Sequence, residues 1–218
     1  MRQLDFLEAR EDRETFFLRV HKFVLPYHDN GRRIADAYKF AKEAFRGKQR
    51  KRGERYFEHC RAVPLILMDI VGVTDWRTIV AGLMHDAIED CGWTKERIAL
   101  EFDEEVAFLV DGVTIPEGDF PTREARIEAY HQKFLKAMEN DIRVLMIKLA
   151  DRLHNLTTCE ALSRENQLRM VEETEQIYLP LATKHNILVP ELTQILRARR
   201  KTLRAVTKSD RARIARST

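Results

Sequence analysis

The sequence predicts an all-α protein, a bundle of helices with their apolar faces turned inward. Glycine (8) and proline (6) are both scarce in 218 residues, which leaves little turn chemistry for many short strands. Apolar residues recur at intervals of three and four along most of the chain, the period of an α-helix. The first half of residues 142–158 is apolar almost all round, which marks a helix buried at the centre of a bundle. With 44% hydrophobic and 33% charged residues, the chain can bury the core of one large domain or two small ones.

Taken in order, residues 4–25 mix Leu4, Phe6, Leu7, Phe16, Phe17, Leu18, Val20, Phe23 and Val24 with many charges. They read as one or two amphipathic helices ending near Pro26. Ile34, Ala37, Tyr38, Ala41 and Phe45 fall at helical spacings up to a stop at Gly47. Lys48 to Arg55 is a basic loop, either a solvated connector or a clamp on something anionic. Residues 56–72 resume helix on Val63, Ile66, Leu67 and Ile70 and end at Gly72. Thr74 or Asp75 caps the next helix, which runs through Ile79, Val80 and Leu83 into a cluster at His85. Thr94 caps a short helix, and Phe102 to Val110 makes another, closing at Asp111-Gly112-Val113-Thr114. Residues 115–122 form a loop. A long helix over 123–139 then carries Ile127, Tyr130, Phe134 and Met138 on one side. After the central helix, Ser163 opens a helix through Met170, Ile177 and Leu181, and Pro190 starts the last one.

Several classes are excluded at this level. No apolar stretch approaches a membrane span, and the N-terminus lacks the apolar core of a secretory signal. Cys60, Cys91 and Cys159 are an odd number without paired spacing, so neither a disulfide framework nor a CxxC zinc site is indicated. A cytoplasmic protein without membrane attachment is expected. The net charge of +3 is uneven: from Arg197 to Thr218 there are nine Lys/Arg against Asp210 alone. Such a tail is ordinarily a solvated helix end, and its functional reading is contact with RNA or a partner protein.

The chemistry concentrates in His85-Asp86 and Glu89-Asp90. If this stretch is helical, Glu89 lies one turn beyond His85, and Asp90 one turn beyond Asp86. Three carboxylates and an imidazole on part of one helix are costly unless a cation joins them; alone, they read equally as an exposed acidic helix end. Asp151, Asn155 and Thr158 recur at i, i+4, i+7 down the otherwise buried central helix, and buried polar lines need partners. His59 lies on or beside a buried face, where a satisfied core histidine is the more common case. Together, His59, His85, Asp86 and Asp151 would give one cation two imidazoles and two carboxylates. That set suits Mn²⁺, Fe²⁺, Co²⁺ or Zn²⁺ better than Mg²⁺. Glu89 and Asp90 would then orient or deprotonate a water.

The order His59, His85-Asp86, Asp151 resembles the HD-domain metal phosphohydrolases. The stretches Arg50 to Tyr56, Ala81 to Asp90, Val110 to Thr114, Ile147 to Leu156 and Glu175 to Ala182 resemble, more specifically, the hydrolase domain of the RelA/SpoT homologue family. That family degrades the alarmones ppGpp and pppGpp. The resemblance implies an all-α HD-domain helical bundle with four metal ligands (His59, His85, Asp86, Asp151), one Mn²⁺ per chain and Glu89 with Asp90 activating the attacking water. It places Arg50 against the guanine base, with Lys51 beside it, and Asn155 and Thr158 on the nucleotide. The implied reaction converts ppGpp or pppGpp to GDP or GTP plus pyrophosphate. Cys60, Cys91 and Ile115-Pro116 depart from the usual residues of relatives without touching a presumed ligand.

The implied layout is an N-terminal helical segment packed on the core (1–30), the hydrolase domain (31–196) and a basic tail (197–218). Bifunctional relatives continue into a synthetase domain, so a hydrolase-only member, a small alarmone hydrolase, is expected, as a monomer or homodimer. Rival readings keep the same site for (p)ppApp or for the 2′-phosphate of NADPH, or make the chain a catalytically silent binding module. His154 and His131 are expected to be structural or exposed, and Cys159 a small core residue.

Overall fold

The computed structural model describes residues 13–24 and 28–214, without the side chains of 28 and 206–214. Of the N-terminal helical expectation, residues 4–12 lie outside the described part. Helix α1 (Arg13–Phe23) buries Phe16 and Val20, and Arg19 ties it to Asp69 with a 2.8 Å ion pair. Helix α2 (His28–Ala44) turns Ile34, Ala37, Tyr38 and Ala41 inward. The basic loop after it is a tight turn in which Arg50 N donates to Glu54 O, closed by an isolated bridge between Gln49 and Arg55. No strand forms among the described residues.

Helix α3 (Tyr56–Ile66) is buried over most of its length and passes into a π-helical turn, Leu67–Val71, that ends at Gly72. Asp75 then caps α4 (Trp76–Met84), accepting from the backbone N–H of Arg77 and Thr78. The expected continuous helix through the His85 cluster is interrupted. α4 stops at Met84, and α5 (Ala87–Cys91) starts afresh after Asp86, whose backbone sits at φ −98°, ψ 4°. Thr94 caps α6 (Lys95–Glu101) as expected. The next helix, α7 (Glu104–Val113), starts two residues later than predicted, because Asp103 accepts from Val106 N and fixes the start.

Helix α8 (Arg123–Asn140) follows the 115–122 loop, with Tyr130, Phe134 and Met138 buried and Ile127 at the exposed border. Helix α9 (Arg143–Thr157) is the central helix: Val144, Leu145, Ile147, Leu149, Ala150, Leu153 and Leu156 are all fully buried. It packs against α3, α4, α7, α8 and the closing helix. Ser163 caps α10 (Arg164–Glu173), which runs through a π-helical turn, Thr174–Tyr178, into α11 (Leu179–His185). The closing helix α12 (Val189–Ile214) is continuous, so the boundary expected at 196 falls inside it. No helix among the described residues is long and apolar enough to cross a membrane.

Candidate metal centre

The site forms where α3, α4 and α9 meet. Gly82 lets α3 and α4 approach closely: a Cβ there would stand 3.0 Å from Leu67 Cδ1 and 3.5 Å from Pro64 N. This packing sets His59, on α3, against His85, at the end of α4, with their Nε2 atoms 3.0 Å apart. Helix α9 delivers Asp151, whose Oδ1 lies 3.2 Å from His59 Nε2 and 3.7 Å from His85 Nε2. Asp86 Oδ2 completes the group, 3.4 Å from His59 Nε2 and 3.2 Å from His85 Nε2. The break at His85-Asp86 makes this convergence feasible. On a continuous helix neighbouring side chains point about 100° apart, whereas here an imidazole nitrogen and a carboxylate oxygen of adjacent residues face one point. His59, His85 and Asp151 are 1%, 3% and 6% exposed, and Asp86 is half-buried.

The electrostatics of this cluster call for positive charge. Burial works against ionisation of Asp151, but Lys148, His59 and His85 outweigh it and hold the carboxyl well below its usual range. Asp86 is likewise held down by His85 and His59 against the cost of burial. Burial also opposes charge on His85, yet Asp86 and Asp151 prevail and push that imidazolium up to about 10. A divalent cation meets the same demand. Bonds of about 2.0–2.2 Å to one ion bring ligand atoms to roughly 3 Å of one another, close to the separations found. The N₂O₂ donor set fits a divalent transition ion, with His59, His85 and Asp151 fully inside the protein. His85 Nδ1 lies 2.9 Å from Gly82 O. A carbonyl only accepts, so the neutral ring carries its proton on Nδ1 and its lone pair on Nε2, toward the carboxylates.

Glu89 and Asp90 stand at the exposed mouth of the site. Glu89 Oε1 accepts from Ile115 N at 2.7 Å, which ties it to the start of the 115–122 loop. Burial, with Asp86 and Asp151 nearby, raises its pKa, partly offset by the Ile115 hydrogen bond and by Lys148. Asp90 remains one turn beyond Asp86, with its N–H donating to Asp86 O. The Tyr56 hydroxyl lies 2.8 Å from Asp86 Oδ2 and 2.6 Å from Asp90 Oδ2, bridging the metal cluster and the mouth.

Beside the cluster lies a pocket of about 240 Å³ lined by Arg50, Lys51, Tyr56, Asn155, Thr158 and Met170, among others. It gathers all four residues expected to bind substrate. Arg50 spans its inner wall: Nη1 donates to Thr158 Oγ1 at 3.2 Å, and Nη2 donates to Asn155 Oδ1. Asn155 Nδ2 in turn donates to Asp151 Oδ1, so the polar line of α9 joins the pocket to the metal cluster.

Three participants were not assigned roles from the sequence. Tyr56 and Lys148 lay within the matching stretches, and Lys148 Nζ pairs with Asp151 Oδ2 at 3.3 Å, one helical turn before it. Of the two expectations for His154, structural or exposed, the first holds: it is 6% exposed and its Nδ1 lies 2.8 Å from His59 Nδ1. Burial, with the nearby His59 and Arg50, keeps its pKa well below the ordinary histidine value. Its position three residues after Asp151 was the one available signal. Cys159 is a buried core residue, as expected.

A profile described as HD domain matches residues 37–188, and the chain belongs to the HD-domain family. Curated relatives narrow this. A Synechocystis protein named probable guanosine-3′,5′-bis(diphosphate) 3′-pyrophosphohydrolase is 44% identical over 156 residues, 71% of this chain and 20% of the relative. A Haemophilus influenzae protein named guanosine-3′,5′-bis(diphosphate) 3′-pyrophosphohydrolase is 41% identical over 149 residues, 67% of this chain and 22% of the relative. A Myxococcus xanthus relative, 40% identical over 161 residues (71% of this chain, 21% of the relative), is named GTP pyrophosphokinase. The chain thus spans about one fifth of the length of these relatives. A solved structure titled "A metazoan ortholog of SpoT hydrolyzes ppGpp and plays a role in starvation responses" superposes with a TM-score of 0.65 at 25% identity. The match covers 77% of this chain and 95% of that one. Within the HD-domain proteins, this chain is a member of the RelA/SpoT hydrolase family.

Proposed function

We propose that residues 31–196 form a hydrolase domain that removes the 3′-pyrophosphate of ppGpp or pppGpp, releasing GDP or GTP, and that these 218 residues carry out no synthesis. The observation that carries this reading is the convergence of His59, His85, Asp86 and Asp151 next to the Arg50–Asn155–Thr158 pocket, in a chain whose relatives are named for that reaction. Those four side chains would hold one Mn²⁺. Bound there, the ion would polarise a phosphoryl oxygen and lower the pKa of a water.

The chain's own groups supply the rest. The guanidinium plane of Arg50 offers the guanine a flat cationic surface, and Lys51 adds positive charge at the pocket wall. Asn155 and Thr158 present polar groups to the nucleoside. Glu89 and Asp90, at the mouth, orient the attacking water and take its proton. The raised pKa of Glu89 makes it a stronger base than an ordinary carboxylate. Tyr56 holds Asp90 beside Asp86, so that proton acceptor and cation site stay in register.

A substrate panel tests the reading. Pyrophosphate release from ppGpp and from ppApp, and phosphate release from NADPH, are measured with Mn²⁺, alongside synthesis from ATP plus GDP. Turnover on ppGpp should exceed the others, with no synthesis. A far higher rate on NADPH or ppApp overturns the assignment, and no turnover on any of them supports a silent binding module.

A further inference from the structure

We propose that His154 is a positioning residue: its Nδ1 accepts a hydrogen bond from His59 Nδ1–H and so turns the Nε2 lone pair of His59 toward the cation. The inference rests on the reading of His59 as a metal ligand and adds to it a residue outside the ligand set. A histidine ligates through a nitrogen without a proton, so the other ring nitrogen must be given a place to donate. His85 solves this with a backbone carbonyl, Gly82 O. His59 has no carbonyl in that role; the atom 2.8 Å from its Nδ1 is His154 Nδ1.

Two ring nitrogens at that distance need one proton between them, and Arg50 decides which ring holds it. Arg50 Nη1 lies 3.3 Å from His154 Nδ1, and a guanidinium can only donate. A proton on His154 Nδ1 would face that cation. With the proton on His59, the His154 lone pair takes the short bond from His59 and a longer contact from Arg50. Arg50 is held for this by Asn155 Oδ1, on the same helix as His154, and by Thr158 Oγ1 at that helix's end. Helix α9 therefore reaches the metal cluster three times: through Asp151 itself, through Asn155 to Asp151, and through His154 to His59.

The test compares His154→Asn, whose side-chain oxygen takes the place of Nδ1 as acceptor, with His154→Leu, which has the bulk and no acceptor. Mn²⁺ affinity is measured by titration calorimetry on full-length protein, with His59→Ala as control and melting of the metal-free proteins as a check of folding. His154→Leu should weaken Mn²⁺ binding about 10–100-fold, the usual effect of losing an outer partner of a ligand. His154→Asn should stay within a few-fold of wild type. Equal affinities in wild type and a folded Leu variant overturn the inference. Should the wild type bind no better than His59→Ala, the ligand reading itself fails. A second measurement needs no variant: in ¹⁵N-histidine protein loaded with diamagnetic Zn²⁺, a coupling across the N–H···N bond should link the two Nδ1 atoms. The proton should sit on His59. A proton on His154 Nδ1, or no coupling, contradicts the proposal.

Discussion

Replacing Asp151 perturbs stability and metal binding at once, and the structure separates the two effects. The carboxylate is buried, and Lys148, itself only 14% exposed at its side chain, pairs with it at 3.3 Å. Asp151→Ala leaves that ammonium with the Tyr130 ring, 5.2 Å away, and no nearby carboxylate from its own helix turn. Removing one partner of a buried ion pair costs about 3–5 kcal/mol. For a chain of this size, roughly 2–4 °C per kcal/mol applies, so the metal-free melting temperature should fall by about 6–20 °C. Lys148→Met in the Asp151→Ala background removes the stranded charge and should recover much of that loss. Asp151→Asn keeps the shape and the acceptor for Asn155 while removing the negative charge. It should therefore fold and still bind Mn²⁺ more than about 100-fold more weakly, beyond the range of an outer partner. Calorimetric titration and thermal melts of the four proteins measure both quantities. Wild-type Mn²⁺ affinity in Asp151→Asn removes Asp151 from the ligand set. An Asp151→Ala melting temperature that Lys148→Met does not recover refutes the ion-pair argument.

Other perturbations address the mouth, the periphery and the packing. Glu89→Gln should leave Mn²⁺ affinity unchanged and slow ppGpp hydrolysis by about 10²–10⁴-fold; single-turnover rates at saturating metal check this, and a normal rate discards Glu89 as a base. Arg143 gathers Asp75, Asp141 and Glu105; against the cost of burial, Thr78 together with Arg143 holds Asp75, and Arg143 holds Asp141, below the usual carboxyl range. Depressed folded-state values stabilise the protein above the unfolded carboxyl pKa near 4, and that contribution is lost as pH falls through them. Urea unfolding between pH 3 and 6 should show this acid loss, and Arg143→Met should flatten it. Gly112→Ala places a Cβ 3.0 Å from Val144 Cγ2 and 3.1 Å from Ala137 Cβ. It should cost about 1–3 kcal/mol by overpacking where α7 meets α8 and α9, read as a lower urea midpoint with an unchanged slope.

What the sequence shows follows from what is local. The helical class, the caps at Asp75, Thr94 and Ser163, and the buried character of α9 rest on periodicity and end chemistry within a few residues. The polar line of Asp151, Asn155 and Thr158 was visible for the same reason. The interruption at His85-Asp86 carries no glycine or proline to announce it, and the partners that meet there, His59 and Asp151, lie 26 and 65 or more positions away in sequence. The π-helical turns at Leu67–Val71 and Thr174–Tyr178 likewise have no local signature. His154 was open between structural and exposed because its partners, His59 and Arg50, are 95 and 104 positions away in sequence. Glu89 was visible as a carboxylate one turn from the pair, but its anchoring by Ile115 N depends on how the 115–122 loop returns to α5.

A cation held by His59, His85, Asp86 and Asp151 should be required for cleavage of the nucleoside 3′-pyrophosphate. Product analysis of ppGpp incubated with the Mn²⁺-loaded protein, with and without a chelator, measures this most directly. GDP and pyrophosphate should appear in equal amounts, and the chelator should abolish both. Orthophosphate as the product, or an undiminished rate in chelator, would contradict it.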